Sequence, residues 1–311
     1  MKSVSVIVET HNARHVGAAG LASALEALRA QTYPRELTEI IVVLDEARGE
    51  VVEPLRGRRD DVRFVAMKDA NYFPMKNYGL RFARGDVIAF LDCDCVPCER
   101  WVERAAANLA RGADAAAGRT SYPFGKLWSR TFDFFDFGYA RADAGGEATC
   151  FYANNVAFRR EVILAHGFDP RLGRGGGCHL LSRQLKRRGY RVVYDEAQAV
   201  THDAAVNERF GFALERLRAG HDAINLCRLD DEGVLPEKKF ARLGALAPAA
   251  VCAARVASDF RRAVVNREEL GVRLRAVPYF CAASLFLRSI EMVGGVVTWA
   301  RPDYFREEFG W

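Results

Sequence analysis

Four short, mostly apolar runs, most of them followed by a stretch of helical spacing, constrain this chain more than any other feature of its sequence. Val4–Val8 reads as a buried strand, and Gly17–Gln31 as an amphipathic helix stopped by Tyr33-Pro34. Strand Glu39–Leu44, a short helix near Glu50–Arg56, strand Val62–Ala66, helix Pro74–Ala83, strand Val87–Leu91 and helix Glu99–Ala110 follow in order. Fully apolar strands joined through helices imply right-handed crossovers and a mainly parallel sheet covered on both faces, an α/β fold. Ligands of such sheets bind beyond the carboxyl ends of the strands.

Composition narrows the classes further. With 311 residues, half of them hydrophobic, the chain is long enough for a full core, and its Gly, Pro and Cys contents exclude collagen-like, disordered and disulfide-scaffold proteins. Its eight cysteines and the direct run from Met1-Lys2-Ser3 into a strand, with no cleavage-type signal, point to free thiols in a reducing cytoplasm. Net charge is +5, and all of it resides in Lys238–Trp311, where 12 Lys/Arg face 7 Asp/Glu. That basic stretch includes the apolar Ala276–Ala300 segment, which carries Arg288 and Glu291 near its middle. The combination favours peripheral contact with an anionic membrane over a span and over nucleic acid, the alternative being an ordinary packed helical subdomain.

The most informative stretch is Val87-Ile88-Ala89-Phe90-Leu91-Asp92-Cys93-Asp94. An apolar strand ends in two carboxylates at i and i+2, which a strand directs to one side. Hard oxygen ligands there suit Mn²⁺ or Mg²⁺, and such an ion suits a diphosphate. An isolated Asp-x-Asp more often does no more than end a strand, so its surroundings decide.

Those surroundings are Val8-Glu9-Thr10-His11-Asn12, Val43-Leu44-Asp45, Lys76-Asn77-Tyr78-Gly79 and Ala83-Arg84-Gly85-Asp86. In this order and spacing they resemble the nucleotide-sugar glycosyltransferases of the GT-A fold, in the large inverting family that includes cellulose, chitin and hyaluronan synthases. The resemblance spans roughly residues 3–203 and implies a Rossmann-like GT-A domain over 1–205, with a helical extension over 206–311. It implies a nucleoside pocket lined by Thr10, Asn12, Asp45, Lys76, Asn77 and Asp92. The implied metal site is Asp92, Asp94 and His202, the histidine following the last strand at Val200-Thr201-His202. It further implies a nucleotide-sugar donor, a UDP-sugar by the family's habit, and a sugar, lipid-linked or small-molecule acceptor. Where the family pairs two acids after its second strand, this chain has Leu44-Asp45.

Cys150-Phe151-Tyr152-Ala153-Asn154-Asn155 resembles the family's acceptor-side strand, placing Asn154, Asn155 and Cys178 on the acceptor side. An inverting transfer needs a base to take the acceptor's proton. The family's Glu-Asp pair falls on Gly177 and Cys178, so both carboxylates are absent. His179 is the expected replacement and Asp169 its competitor. The alternative is a noncatalytic nucleotide-sugar-binding or scaffold protein. A nucleotidyltransferase is the weaker third reading, lacking a glycine-rich phosphate loop near its first strand. The aromatic run Trp128, Phe132, Phe134, Phe135, Phe137, Tyr139 reads as core, with a sugar- or lipid-facing wall as the other option. Cys93, Cys95 and Cys98 lack the second cysteine pair of a structural zinc site and read as small buried thiols.

Overall fold

The computed structural model describes residues 1–46, 61–69, 71–123, 127–203 and 211–309, so the helix expected near Glu50–Arg56 lies outside the described residues. They divide into two units: residues 1–124 with 139–205, and residues 125–138 with 206–311.

The first unit is built on an eight-stranded sheet in the order β3-β2-β1-β4-β7-β6-β8-β5. Its strands are β1 (Val4–Glu9), β2 (Thr38–Asp45), β3 (Val62–Met67), β4 (Val87–Asp92), β5 (Cys95–Pro97), β6 (Ala115–Ser121), β7 (Asn155–Arg159) and β8 (Val192–His202). The first four strands pair in parallel, as expected, with Val6 opposite both Ile40 and Ala89. The remainder is mixed: β7 runs antiparallel to β4 and β6, while β8 is parallel to β6 and antiparallel to β5.

Why these segments form strands follows from their burial. Val6, Ile7, Val8, Ile41, Val42, Val43, Ile88 and Phe90 are all inaccessible, which is the signature of a sheet covered on both faces. Helix α1 (Ala13–Arg29) lays Leu21, Ala24, Leu25 and Leu28 on that core at helical spacing. It begins four residues earlier than its periodicity indicates, because the backbone breaks at Gly17 (φ +61°), a conformation that glycine tolerates. Helix α2 (Tyr72–Leu80) packs close to the sheet at Gly79, where a Cβ would lie 2.5 Å from Ile7 Cγ2. Helix α3 (Trp101–Ala110) buries Trp101, Val102, Ala105 and Leu109. Two short helices, α5 (Arg160–His166) and α6 (Gly177–Arg187), follow β7.

The second unit is helical: α4 (Leu127–Phe132) with a π turn at Asp133–Phe137, α7 (Gly211–Leu229), α8 (Ala247–Val265), α9 (Val277–Ala300) and α10 (Tyr304–Phe309). Of the aromatic run read as core, Phe134 and Phe135 are buried in this unit, where they join Phe280 and Leu287. Helices α7 and α9 cross at backbone distance, since a Cβ on Gly220 would fall 1.8 Å from the Glu291 carbonyl oxygen. Segments Pro236–Val265 and Leu274–Ala300 are long and apolar enough to cross a membrane by length and composition. Their interior, however, is ionic: Asp259 accepts from Arg262 (2.6 Å), Arg288 (2.8 Å) and Ser284 (2.8 Å), and Glu291 accepts from Arg288 (2.6 Å) and Arg255 (2.8 Å).

Candidate active site

The carboxyl ends of β1, β2 and β4 meet at one edge of the sheet, with Glu9 in register with Asp92. Thr10 Oγ1 donates to the Val43 carbonyl (3.0 Å) and so ties the exit of β1 to β2, which ends at the buried Asp45. Asn12 is buried beside the β1 exit, and its Oδ1 has no hydrogen-bond partner among the described residues. Glu9 is inaccessible. One of its oxygens accepts from the His11 amide (2.6 Å) and the other, Oε1, has no such partner. Burial, reinforced by Asp92 and Asp94 and opposed by Lys76, raises the Glu9 pKa well above the usual carboxylate range.

Asp92 is held from helix α2. Lys76 Nζ donates to Oδ1 at 2.6 Å, and the Tyr72 hydroxyl lies 3.2 and 3.0 Å from Oδ1 and Oδ2. Tyr72 and Lys76 stand at i and i+4, the same helix face, and the ammonium sits 4.6 Å from the Tyr72 ring centroid. Burial alone would lower the Lys76 pKa, but Asp92 and Glu9 outweigh it and raise it. Both Asp92 oxygens are thus engaged by helix α2, through Lys76 and Tyr72.

The grouping with metal-ligand geometry is Asp94, Cys95 and His202, whose ligand atoms lie within 4.8 Å of one another. His202 Nε2 is 3.5 Å from Asp94 Oδ2. Its Nδ1 lies 2.7 Å from the Asp203 carbonyl, which places the ring proton on Nδ1 and turns the Nε2 lone pair toward Asp94. Burial raises the Asp94 pKa, with Asp92 adding to the rise and His202 opposing it. Burial would lower the His202 pKa, yet Asp94 reverses that and leaves it raised. Three buried carboxylates, Glu9, Asp92 and Asp94, thus converge on one buried lysine and one histidine. The pairing of the Asp94 carboxylate with the His202 imidazole fits a divalent cation held by Asp94 and His202.

On the acceptor side the expected residues separate. Asn154 is buried and accepts from Thr120 Oγ1 (3.2 Å). Asn155 is a structural amide, contrary to expectation: Oδ1 accepts from Trp101 Nε1 (2.8 Å), and Nδ2 donates to the Arg119 and Gln198 carbonyls (2.9 and 3.0 Å). The Asn77 amide clasps the Phe168 backbone, donating to its carbonyl (2.7 Å) and accepting from its N–H (3.0 Å). Asp169 is chelated by Arg171 through Nε and Nη2 (3.0 and 2.7 Å). Burial would raise its pKa, but those bonds lower it, which makes Asp169 a poor base. The Cys178 thiol accepts from the Ala153 amide (3.1 Å), and burial pushes its pKa up to about 12, so it stays protonated. His179 stands half-buried in the first turn of α6.

The sequence pointed to no role for Glu9 or Tyr72, and Cys95 read as a small buried thiol rather than a ligand. For Glu9 the signal was a charged residue ending an apolar strand, and for Tyr72 the i, i+4 spacing to Lys76. Cys95 lacked a second cysteine pair in the sequence, and its neighbour His202 comes from the pairing of β5 with β8.

A family model described as glycosyl transferase family 2 matches residues 5–167. Among curated proteins, glycosyltransferase AglE of Haloferax volcanii is 25% identical over 236 residues, covering 73% of this chain and 75% of that protein. Succinoglycan biosynthesis protein ExoM of Rhizobium meliloti is 30% identical over 168 residues, half of this chain and 54% of that one. Among solved structures, the mannosyltransferase PcManGT from Pyrobaculum calidifontis, in complex with GDP-Man and Mn²⁺, shares the fold. Its TM-score is 0.65 at 19% identity, over 97% of this chain and 88% of that chain.

Proposed function

This chain belongs to glycosyl transferase family 2, and from that membership we propose that it moves a sugar from a nucleotide diphosphate sugar, a UDP-sugar, to an acceptor hydroxyl with inversion. Membership makes the chain a glycosyltransferase with a GT-A fold. The observation that carries the finer reading is the buried pairing of Lys76 with Asp92 and of His202 with Asp94, beyond the end of β4, with Asp45 buried at the end of β2.

In this reading Thr10, Asn12 and Asp45 line the nucleoside, and Asp92, oriented by Lys76 and Tyr72, faces the ribose. Asp94 and His202 hold Mn²⁺ or Mg²⁺. The ion, when bound, acts as a Lewis acid toward the departing diphosphate. Asn154 borders the acceptor. His179 takes the acceptor's proton, an imidazole being the side chain suited to that task near neutral pH. A thermal-shift panel of UDP- and GDP-sugars with and without Mn²⁺ identifies the donor by mass action, followed by turnover of wild type and His179→Ala. Normal donor binding with lost turnover supports the histidine as base; full turnover in His179→Ala excludes it.

The helical unit meets a membrane from one side. Leu285, Phe286, Val293, Val296 and Trp299 of α9 are exposed, while Arg288 and Glu291 of the same helix are buried in the ionic interior. Each of the basic residues Arg261, Arg267, Arg273 and Arg275 contributes on the order of 1 kcal/mol beside an anionic leaflet. Those features support peripheral association, and the free state of all eight thiols suits the cytoplasmic side. Co-sedimentation with anionic but not neutral vesicles at low salt is expected, and equal recovery from both contradicts it.

A further inference from the structure

We infer that Cys95 is a third ligand of the metal site, and that its sulfur gives the site a preference for Zn²⁺-type ions over Mg²⁺. The inference rests on the reading that Asp94 and His202 face the donor's cation, and it specifies what that site selects.

Strands β5 and β8 pair antiparallel with Cys95 directly opposite His202. Directly opposed residues project their side chains to the same face of a sheet, so thiol and imidazole become neighbours. Asp94 then completes the group: Cys95 Sγ lies 3.7 Å from Asp94 Oδ1, and His202 Nε2 lies 3.5 Å from Asp94 Oδ2. Around a tetrahedral ion with bonds of about 2.3 Å to sulfur and about 2.0–2.2 Å to nitrogen or oxygen, adjacent ligand atoms stand about 3.4–3.6 Å apart. The two observed separations, each to a different Asp94 oxygen, come near that bite, and the three ligand atoms all lie within 4.8 Å of one another.

The imidazole is also set for ligation, because the Asp203 carbonyl engages Nδ1 and fixes Nε2 as the inward atom. The neighbouring cysteines do not join: Cys98 points its thiol at the Ala197 carbonyl (3.4 Å), and Cys93 is absent from the group.

Ligand chemistry then sets the selectivity. Mg²⁺ wants near-octahedral oxygen and keeps its waters, whereas a thiolate with an imidazole and one carboxylate suits Co²⁺ and Zn²⁺. On binding, the Cys95 S–H bond breaks, its proton leaves to solvent, and the sulfur electron pair forms the metal–sulfur bond.

Co²⁺ alone, titrated into the full-length protein without nucleotide, tests this optically. Expected are stoichiometric Co²⁺ uptake, a near-ultraviolet sulfur-to-cobalt charge-transfer band, displacement by Zn²⁺ and persistence in a large excess of Mg²⁺. Cys95→Ser and Cys95→Ala should lose the band and bind Co²⁺ about tenfold or more weakly, with the native circular-dichroism melt retained. Cys98→Ala should keep the band. Co²⁺ bound without a sulfur band, or an unaltered spectrum in folded Cys95→Ser, overturns the cysteine ligand and leaves the Asp94–His202 reading standing. Absence of any Co²⁺ binding overturns both.

Discussion

The Phe73 ring fills the space into which a side chain at position 177 would project: a Cβ added to Gly177 would lie 2.6 Å from Phe73 Cε2. Phe73 is itself fixed by stacking on Phe168 at 4.9 Å, and Asn77 clasps the Phe168 backbone. The carboxylate that family resemblance expects at the start of α6 is therefore replaced by an aromatic core, and the loss is built into the packing.

Gly177→Ala isolates that clash. Helix propensity alone favours alanine by about 1 kcal/mol, while overpacking a filled site costs about 1–3 kcal/mol. A net loss of stability in urea unfolding is expected, turning into a gain when Phe73→Leu is added. If Gly177→Ala is stabilising on its own, the ring does not own that space. Gly177→Glu is expected to lower stability without raising turnover.

Lys76 is the buried counter-ion of Asp92, so Lys76→Met leaves a carboxylate uncompensated and should cost about 3–5 kcal/mol in chemical unfolding. Adding Asp92→Asn should recover part of that loss, because the two changes share one interaction. Strictly additive losses would show that the two groups stabilise the fold independently.

Acid should weaken the helical unit through Glu291. Burial pushes its pKa up, but Arg288, Arg255 and Arg216 outweigh burial and hold it at about 2, against 4.5 as the ordinary value. A carboxyl whose folded pKa is depressed contributes its full stability above the ordinary value and loses it as pH falls toward the folded one. Each pK unit corresponds to about 1.4 kcal/mol, so on the order of 3 kcal/mol disappears between roughly pH 5 and pH 2. Glu291→Gln should flatten that part of the pH–stability curve; an unchanged slope would assign the acid sensitivity to other groups.

The parallel half of the sheet was legible because Val4–Val8 and Val87–Leu91 are apolar without alternation, and Asp92-Cys93-Asp94 stood at the strand end that binds ligands. The antiparallel half was not, because β5 is three residues long and pairs with β8 across about a hundred positions, and no local pattern encodes that partner. The same limit hid Cys95, whose ligand geometry exists only through that pairing. Asn77, Asn155 and Asp169 carried the residue types of a binding site, yet each is engaged by a neighbour, two of them by backbone groups far off in sequence. Lys76 was legible as a site residue, but its buried contact with Asp92 at 2.6 Å was not, because it depends on where helix α2 packs.

The central claim is that Asp94 holds a divalent cation beneath a nucleotide diphosphate. Calorimetric titration of a nucleoside diphosphate into wild type and Asp94→Ala, each with and without Mn²⁺, tests it most directly. The account predicts Mn²⁺-dependent binding in wild type and its loss in Asp94→Ala, with an unchanged far-ultraviolet spectrum. Equal, Mn²⁺-dependent affinity in the two proteins would contradict it.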